Sequence, residues 1–252
     1  MNGGGNGDSP LEADVMESRQ LPTGHNHYRA YVGPPKQYDI LGATQFSLLT
    51  SLGLQEEHTL MDVGCGSLRA GRFFIQYLLP DRYFGIEPNE YLWRSAIDKE
   101  IGRDILSIKR PKFSSRQDFR FDDSTSKYDF ILAQSIFSHA GSDMFQVGLK
   151  TLASQLKHNG QFLFTIIDED AESYSTSIAA ESVHGWIYPG CTRYARQTVL
   201  RFCQAAGLKV EIIGWRHPRQ TWYRAVLPGT PLLGAMAQSL GGGRVFFNPR
   251  YE

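Results

Sequence analysis

The sequence has little cysteine and no excess of charge of either sign. Only three cysteines occur, Cys65, Cys191 and Cys203, and no two of them form a CxxC pair. We therefore expect neither a disulfide framework nor a cysteine zinc site. Lysine plus arginine and aspartate plus glutamate number 26 each, which gives a formal net charge of zero. Because this balance offers no broad basic surface, no nucleic-acid partner is expected.

Long hydrophobic runs are also absent. No run approaches the roughly 20 apolar residues that span a bilayer, and no apolar signal core lies near the first residue. These absences predict a cytoplasmic protein without a membrane span. Residues 1–20 are rich in Gly, Asn, Asp and Ser. They can bury little apolar surface, so we predict that they are disordered.

Residues 21–252 contain enough hydrophobic sequence for one domain with a sizeable core. Short apolar runs that predict strands alternate with runs that predict amphipathic helices. The strand candidates are "HTLMDV", "RYFGIE", "RQDFRFDD", "YDFILAQS" and "GQFLFTII". This alternation predicts an α/β domain with a parallel sheet covered by helices on both faces.

Other patterns refine this α/β prediction. "KVEIIGW" and "TWYRAVL" are joined by a short connection, which predicts an antiparallel pair at the end of the sheet. A helix is predicted to begin near Ser67, and "SDMFQVGLKTLASQLKHNG" is predicted to be helical as far as Asn159-Gly160.

Two aromatic segments interrupt the alternation, at residues 25–45 and 168–194. We interpret the first as an N-terminal lid and the second as an insertion over the ligand edge of the sheet. Their aromatic residues either close over a bound ligand or only pack the lid. They are Tyr28, Tyr31, Tyr38, Trp186 and Tyr188.

The stretch "LMDVGCGSLRAGRFF", Leu60 to Phe74, predicts a strand, a glycine turn and a helix. In open α/β sheets the ligand lies beyond the carboxyl ends of the strands, so this turn is a candidate binding site. Gly64 and Gly66 allow the backbone to approach a ligand closely. A dinucleotide fingerprint needs a third glycine at position 69, which is Arg, and no Walker sequence is present. Both common phosphate loops are therefore disfavoured.

Two acidic residues indicate what the turn holds instead. Asp62 at the end of the first strand favours a ligand with an ammonium group, because it would repel an anion. Glu87 ends the second strand, roughly 20 residues beyond the glycines, where an acid accepts ribose hydroxyls. S-adenosylmethionine carries a ribose, an ammonium group and a carboxylate.

With these motifs the sequence resembles the class I S-adenosylmethionine-dependent methyltransferases, from about Thr59 to Leu227. The resemblance is carried by "LMDVGCGSLRAG", "YFGIEPN", "QDFRFDD", "YDFILAQSIFSH" and "GQFLFTII". It implies a Rossmann-like fold with a seven-stranded, mostly parallel sheet, one antiparallel strand at its end, and helices on both faces. The family usually has glycine at the position of Leu68, where this chain departs from the pattern.

The resemblance also implies roles for individual residues. Asp62, Gly64 and Gly66 would hold the methionine portion of the cofactor, while Cys65, Ser67 and Leu68 line the same turn. Glu87 would take the ribose hydroxyls, and Pro88 would lie against the adenine. Asp118, followed by Phe119, would accept from adenine N6, with Asp122 and Asp123 as alternatives. Gln134 and Ser135 would face the cofactor and the acceptor.

Several residues keep two interpretations. Arg69 either pairs with the methionine carboxylate or bonds nearby carbonyl groups as an ordinary helix residue. His139 either takes a proton from the acceptor or bonds the backbone to hold its loop. His184 and His217 are further candidates for a base. Cys65 fits a small buried residue better than a nucleophile.

No metal site is expected, because the HxH pair His25 and His27 lacks further ligands nearby. The sequence thus predicts a transferase that moves a methyl group from S-adenosylmethionine to an oxygen or nitrogen of a small or medium-sized acceptor, leaving S-adenosylhomocysteine. One alternative is a non-catalytic scaffold or sensor that binds S-adenosylmethionine on the same fold. Another is a nicotinamide-dependent oxidoreductase, against which the missing third glycine argues.

Overall fold

The computed structural model of the chain describes residues 10–121, 127–170 and 177–249. Nine strands occur in this part of the chain. They are β1 (Leu60–Val63), β2 (Tyr83–Ile86), β3 (Lys112–Ser114), β4 (Tyr128–Ala133), β5 (Leu156–Ile166), β6 (Ile178–Ala179), β7 (Thr192–Arg193), β8 (Lys209–Ile213) and β9 (Thr221–Val226). Seven of them form the central sheet in the order β3-β2-β1-β4-β5-β9-β8, and β6 pairs with β7 in a separate small sheet.

The central sheet is parallel from β3 to β5 and reverses at β9. Strand β1 pairs in parallel with β2 and β4, whereas β9 is antiparallel to both β5 and β8. The single reversed strand therefore lies one position in from the edge, and β8 forms the edge itself. The predicted Rossmann-like, mostly parallel seven-stranded sheet with an antiparallel pair at its end is confirmed.

Helices cover both faces of this sheet. They are α1 (Pro10–Ser18), α2 (Tyr28–Tyr31), α3 (Tyr38–Ser51), α4 (Gly71–Tyr77), α5 (Glu90–Ala96), α6 (Ile105–Ile108), α7 (Ser142–Ser154), α8 (Arg196–Ala205) and α9 (Ala235–Ser239). Helix α5 continues into a π-helical turn at Ile97–Ile101, and short 3-10 helices occupy Pro35–Gln37, Phe137–His139, Ala180–Ser182 and Arg244–Phe247. No helix in the described ranges has both the length and the apolar character needed to cross a membrane.

Alternating side chains of the strands feed two separate hydrophobic clusters. In β4, Ile131 packs with Phe145 of α7 on one face, and the next residue, Leu132, packs with Phe74 of α4 on the other. All four side chains are fully buried. Because successive strand residues point to opposite faces, this near-continuous apolar strand is what a sheet covered on both sides requires.

Two predicted elements have different boundaries in the structure. The segment "RQDFRFDD" was predicted as the third strand, but the strand that pairs with β2 is Lys112–Ser114. Phe119 and Phe121 are buried although they lie in an irregular loop. Their spacing of two residues, which is also the spacing of a strand, explains the wrong prediction. Helix α7 ends at Ser154, and residues 156–159, predicted to be helical, begin β5 because Leu156 pairs with Tyr128.

The N-terminal prediction of disorder is wrong for residues 10–18, which form α1. The Asp14 carboxylate accepts a hydrogen bond from Lys99 Nζ at 3.1 Å and lies 3.3 Å from His27 Nε2. Ser18 is fully buried. Polar contacts to later residues therefore hold α1 in place, although its composition offers little apolar surface. Residues 1–9 lie outside the described part of the chain.

Candidate active site

A cavity of about 550 Å³ opens at the carboxyl ends of β1, β2 and β4. Its volume is in the range of small-molecule and cofactor sites. The glycine turn after β1 forms one wall, and the lid, the insertion and the loop before β9 form the others. Of the predicted site residues, it is lined by Asp62, Gly64, Cys65, Gly66, Arg69, Glu87, Pro88, Phe119, Gln134, Ser135 and His139.

The glycine turn needs both of its glycines. Gly64 and Gly66 have φ angles of +66° and +53°, a region that side chains with a Cβ atom rarely adopt. A Cβ atom on Gly64 would lie 2.0 Å from Ile136 Cδ1, and one on Gly66 would lie 2.7 Å from Val32 Cγ1. The lid and the loop after β4 therefore rest directly on the turn.

The helix after the turn begins later than predicted. Residues 66–70 are turn, and α4 starts at Gly71 rather than near Ser67. Leu68 has a φ of +54°, which is incompatible with right-handed helix and explains the delay.

Ser67 and Leu68 shape the turn from behind instead of lining the cavity. Both are fully buried. The Ser67 carbonyl accepts from Tyr38 Oη at 2.6 Å, and Leu68 packs in the cluster that contains Tyr83. The left-handed backbone at Leu68 is the conformation for which glycine is the usual residue, in line with the family pattern. Here leucine keeps that conformation and adds a buried side chain.

Arg69 connects the lid to the end of β4. Its side chain is buried, with Nη1 donating to Val32 O at 2.7 Å and Nη2 donating to Gln134 Oε1. Burial lowers the pKa of Arg69 to about 10, so the guanidinium stays charged at neutral pH. The structure shows the contact with carbonyl oxygens, and the same side chain also lines the cavity.

Asp62 is the more buried of the two acids that line the cavity. Tyr83 Oη donates to Asp62 Oδ2 at 2.7 Å, and only 6% of Asp62 is exposed. Burial raises the pKa of Asp62 to about 6. The hydrogen bond from Tyr83 and the charge of Arg69 lower this pKa, but their effect is smaller than that of burial. A cation bound beside this carboxyl would favour its ionised form and lower the pKa again.

Glu87 joins the two turns that follow β1 and β2. Its Oε2 accepts from Gly66 N at 3.1 Å and its Oε1 accepts from Asn89 N at 2.8 Å. Burial raises the pKa of Glu87, while these two amides oppose the rise. Each carboxylate oxygen has more than one lone pair, so both remain able to accept from a ligand. Pro88 lines the cavity next to it.

Asp118 does not line the cavity, contrary to the prediction. Its carboxylate is about half exposed and pairs with Arg116, whose hydrogen bond lowers the pKa of Asp118. Phe119 has a φ of +62°, which turns the chain so that Phe119 rather than Asp118 reaches the cavity. The alternatives Asp122 and Asp123 lie outside the described residues.

The three histidines proposed as bases have different environments. His217 is buried, and its Nδ1 accepts from the amides of Arg219 and Gln220, so it organises the loop before β9. Burial lowers the pKa of His217 to about 3. His184 is exposed beside Asp143 and does not line the cavity.

His139 both holds its loop and lines the cavity. Its Nδ1 lies 2.6 Å from Gly190 O, and because a carbonyl only accepts, Nδ1 carries the proton. The lone pair of the neutral ring is then on Nε2. Burial lowers the pKa of His139, which keeps the ring neutral near pH 7. The two interpretations of this residue are therefore compatible with each other.

The lid and the insertion meet over the cavity. The rings of Tyr31 and Tyr188 stack with centroids 5.2 Å apart, and Tyr188 Oη donates to Tyr31 O at 2.9 Å. Trp186 packs on Phe119 at 5.5 Å. Arg219 and Gln220 complete the wall, and no motif in the sequence marked either residue. Within the described ranges, no three His, Cys, Asp or Glu side chains group as metal ligands.

Comparisons with known proteins agree with this geometry. Residues 61–162 match the family model described as a methyltransferase domain. Magnesium protoporphyrin IX methyltransferase from Synechocystis PCC 6803 with bound SAM has 16% identity and a TM-score of 0.57, covering 85% of this chain and 97% of that chain. An S-adenosylmethionine-dependent methyltransferase from Clostridium acetobutylicum ATCC 824 has 11% identity and a TM-score of 0.58, covering 75% and 92%.

The glycopeptide N-methyltransferase MtfA complexed with S-adenosylhomocysteine has 12% identity and a TM-score of 0.55, covering 74% of this chain and 90% of that chain. At these identities the likeness shows a shared fold. Residues 61–162 are thus similar to a methyltransferase domain, and the chain has the fold of these S-adenosylmethionine-dependent methyltransferases.

Substitutions at Leu68 test the left-handed turn. Leu68→Ala should lower the free energy of unfolding by about 2–5 kcal/mol, because it empties a buried site. Leu68→Gly should be at least as stable as Leu68→Ala, since glycine avoids the roughly 1–2 kcal/mol cost of left-handed backbone. Denaturant unfolding followed by circular dichroism measures both values.

The matched control is Leu48, which is also fully buried but lies within α3. There glycine should be about 1 kcal/mol less stable than alanine. If Leu68→Gly were clearly less stable than Leu68→Ala, as expected for the same pair at Leu48, the left-handed backbone at Leu68 would be contradicted.

Proposed function

We propose that this cavity binds S-adenosylmethionine and that the protein transfers its methyl group to an oxygen or nitrogen of a small or medium-sized acceptor. The observation that carries the proposal is the hydrogen bond from Gly66 N to Glu87 Oε2. It holds a glycine turn and a ribose-binding acid together at the edge of one cavity. In class I methyltransferases these two features hold the two halves of the cofactor.

The cofactor would lie across the carboxyl ends of β1 and β2. Its ammonium group would approach Asp62, and its ribose hydroxyls would donate to Glu87, with the adenine between Pro88 and Phe119. Two solved structures of the same fold support the choice of ligand, since one has bound SAM and the other bound S-adenosylhomocysteine. A ligand with a pyrophosphate fits less well, because Asp62 and Glu87 would repel it.

The acceptor would occupy the end of the cavity under Trp186 and Tyr188. Methyl transfer is an in-line displacement: the bond from carbon to the acceptor atom forms as the bond from carbon to sulfur breaks, leaving a neutral thioether. The protein mainly has to align the two reactants and exclude water. The stacked rings of Tyr31 in the lid and Tyr188 in the insertion are placed to do this.

A proton must leave an acceptor hydroxyl or amine. His139 is the candidate for receiving it, since its neutral ring has a lone pair on Nε2 and lines the cavity. The acceptors after which the two solved enzymes are named, a porphyrin and a glycopeptide, differ widely. The choice of acceptor for this chain therefore depends on its own cavity residues. A scaffold or sensor that binds the cofactor without turnover is the second candidate.

The substitution Glu87→Gln tests the cofactor site. It keeps the size of the side chain but removes its charge, which weakens the hydrogen bonds to the ribose. A hydrogen bond to a charged group contributes about 1.5–3 kcal/mol. Affinity for S-adenosylmethionine should fall by about 10- to 100-fold in calorimetric titration. The matched control is Glu90→Gln, an exposed residue on α5 paired with Arg94. Unchanged affinity in Glu87→Gln, or an equal loss in both variants, would remove the proposed site.

The rate of methyl transfer at saturating substrate tests His139. With His139 as base, kcat should rise with pH through the lowered pKa of the ring and become level near neutrality, because only the neutral ring accepts a proton. His139→Gln should abolish this acidic limb and lower kcat by about 10²–10⁴-fold. The affinity of the variant for S-adenosylmethionine should be retained. An acidic limb that persists in the variant would exclude His139 as the base. Cofactor binding without turnover of any acceptor would favour the scaffold.

A further inference from the structure

Helix α3 contacts the backbone of the glycine turn at two positions that lie one helical turn apart. Tyr38 Oη donates to the Ser67 carbonyl at 2.6 Å, and Ser67 Oγ donates to the same hydroxyl at 3.2 Å. Four residues later, a Cβ atom on Gly42 would lie only 2.1 Å from the carbonyl oxygen of Arg69. Because residues i and i+4 lie on one face of a helix, a single face of α3 contacts both Ser67 and Arg69.

The residue between these two contacts has a strained backbone. Leu68 has a φ of +54°, a conformation that is unfavourable for any residue with a Cβ atom. Such a residue keeps its conformation only where its surroundings fix it. Here the peptide groups on both sides of Leu68 rest on α3. The shape of the turn therefore depends in part on a helix that begins at Tyr38, far earlier in the chain.

Tyr38 is itself firmly held. Its ring is buried, and the Cζ atoms of Arg29 and Arg72 lie 4.6 Å and 5.1 Å from the ring centroid. The Glu100 carboxylate pairs with both guanidinium groups, at 2.8 Å from Arg29 Nε and 2.7 Å from Arg72 Nη1. Burial raises the pKa of Tyr38 above its usual value, so the hydroxyl stays protonated and able to donate near pH 7.

The supported segment lies between two residues that line the cavity. Gly66 precedes it and donates its amide to Glu87 Oε2, and Arg69 ends it. Tyr38 and Gly42 do not line the cavity themselves. Any effect of these two residues on a ligand must therefore act through the backbone of the turn.

We propose that the start of α3, residues 38–42, is a fixed support that shapes the cofactor turn, with Tyr38 and Gly42 as positioning residues. This inference rests on the proposed function, since it assigns residues that prepare the same site for S-adenosylmethionine. A turn that is already in its binding conformation does not have to be ordered when the ligand binds, which increases affinity. The part of the lid from residue 38 onward then supports the site from behind instead of closing over it.

The substitution Tyr38→Phe tests this support because it removes only the hydroxyl. The Ser67 carbonyl then loses its donor, so a smaller fraction of the protein has the turn in its binding conformation. Affinity for S-adenosylhomocysteine should fall about fivefold or more in calorimetric titration, as expected for the loss of one hydrogen bond. Gly42→Ala should also lower this affinity, since a Cβ atom there displaces α3 from Arg69.

A second ligand shows whether the effect is local to the turn. Methylthioadenosine has the adenine and ribose of S-adenosylhomocysteine but lacks the amino-acid portion, which the turn would hold. Tyr38→Phe should therefore weaken the binding of S-adenosylhomocysteine several-fold more than the binding of methylthioadenosine. A general loss of stability would weaken both ligands equally. Glu87→Gln, in contrast, should weaken both, because each ligand has the ribose.

The matched control is Tyr223→Phe, which removes the same atom from another fully buried tyrosine, on β9. The Tyr223 hydroxyl has no hydrogen-bond partner among the described residues. This variant should bind S-adenosylhomocysteine as the wild type does. Hydrogen exchange followed by NMR in the protein without ligand gives an independent readout. The amides of Gly66 and Leu68 should exchange faster in Tyr38→Phe than in the wild type or in Tyr223→Phe.

Unchanged affinity in both Tyr38→Phe and Gly42→Ala, an equal loss in Tyr223→Phe, or an equal loss for both ligands would overturn the proposal. If Tyr38→Phe does not fold, Gly42→Ala decides by the same comparison. Wild-type protein that fails to bind S-adenosylhomocysteine would instead refute the proposed function. In that case hydrogen exchange still tests the support, and unchanged exchange at Gly66 and Leu68 would overturn it.

Discussion

The site depends on how the protein satisfies the buried guanidinium of Arg69. A charge removed from water is costly unless its donors are paired, and here they bond Val32 O and Gln134 Oε1. These two oxygens belong to the lid and to the end of β4. The requirement to pair one charge therefore brings three segments together that are far apart in the chain. All three segments form part of the cavity wall.

This arrangement separates the cavity into two chemically distinct ends. The glycine-turn end contains Asp62 and Glu87, which suit the ammonium and hydroxyl donors of a nucleoside-linked amino acid. The other end contains the hydroxyl of Ser135, the guanidinium of Arg219 and the neutral ring of His139. Gln134 lies between them, since its amide joins Arg69 on one side and Ser135 on the other. Direct contacts through one side chain thus connect the two ends of the cavity.

Much of the fold and one end of the site could be predicted from local sequence. Asp62, Gly64 and Glu87 lie within or beside short buried strands, and the carboxyl ends of parallel strands meet at one edge. Asp118 was placed wrongly because no strand fixes its loop, where Arg116 pairs with it at the surface. Arg219 was not marked, since its position depends on how β9 pairs with β5.

The central claim is that the cofactor spans the glycine turn with its sulfur directed toward the acceptor end. A crystal structure with S-adenosylhomocysteine tests this most directly. We expect the ribose hydroxyls within hydrogen-bond distance of Glu87, the amino group beside Asp62, and the sulfur facing the space between Ser135, His139 and Tyr188. Density for the ligand outside this cavity, or with its adenine at the acceptor end, would contradict the account.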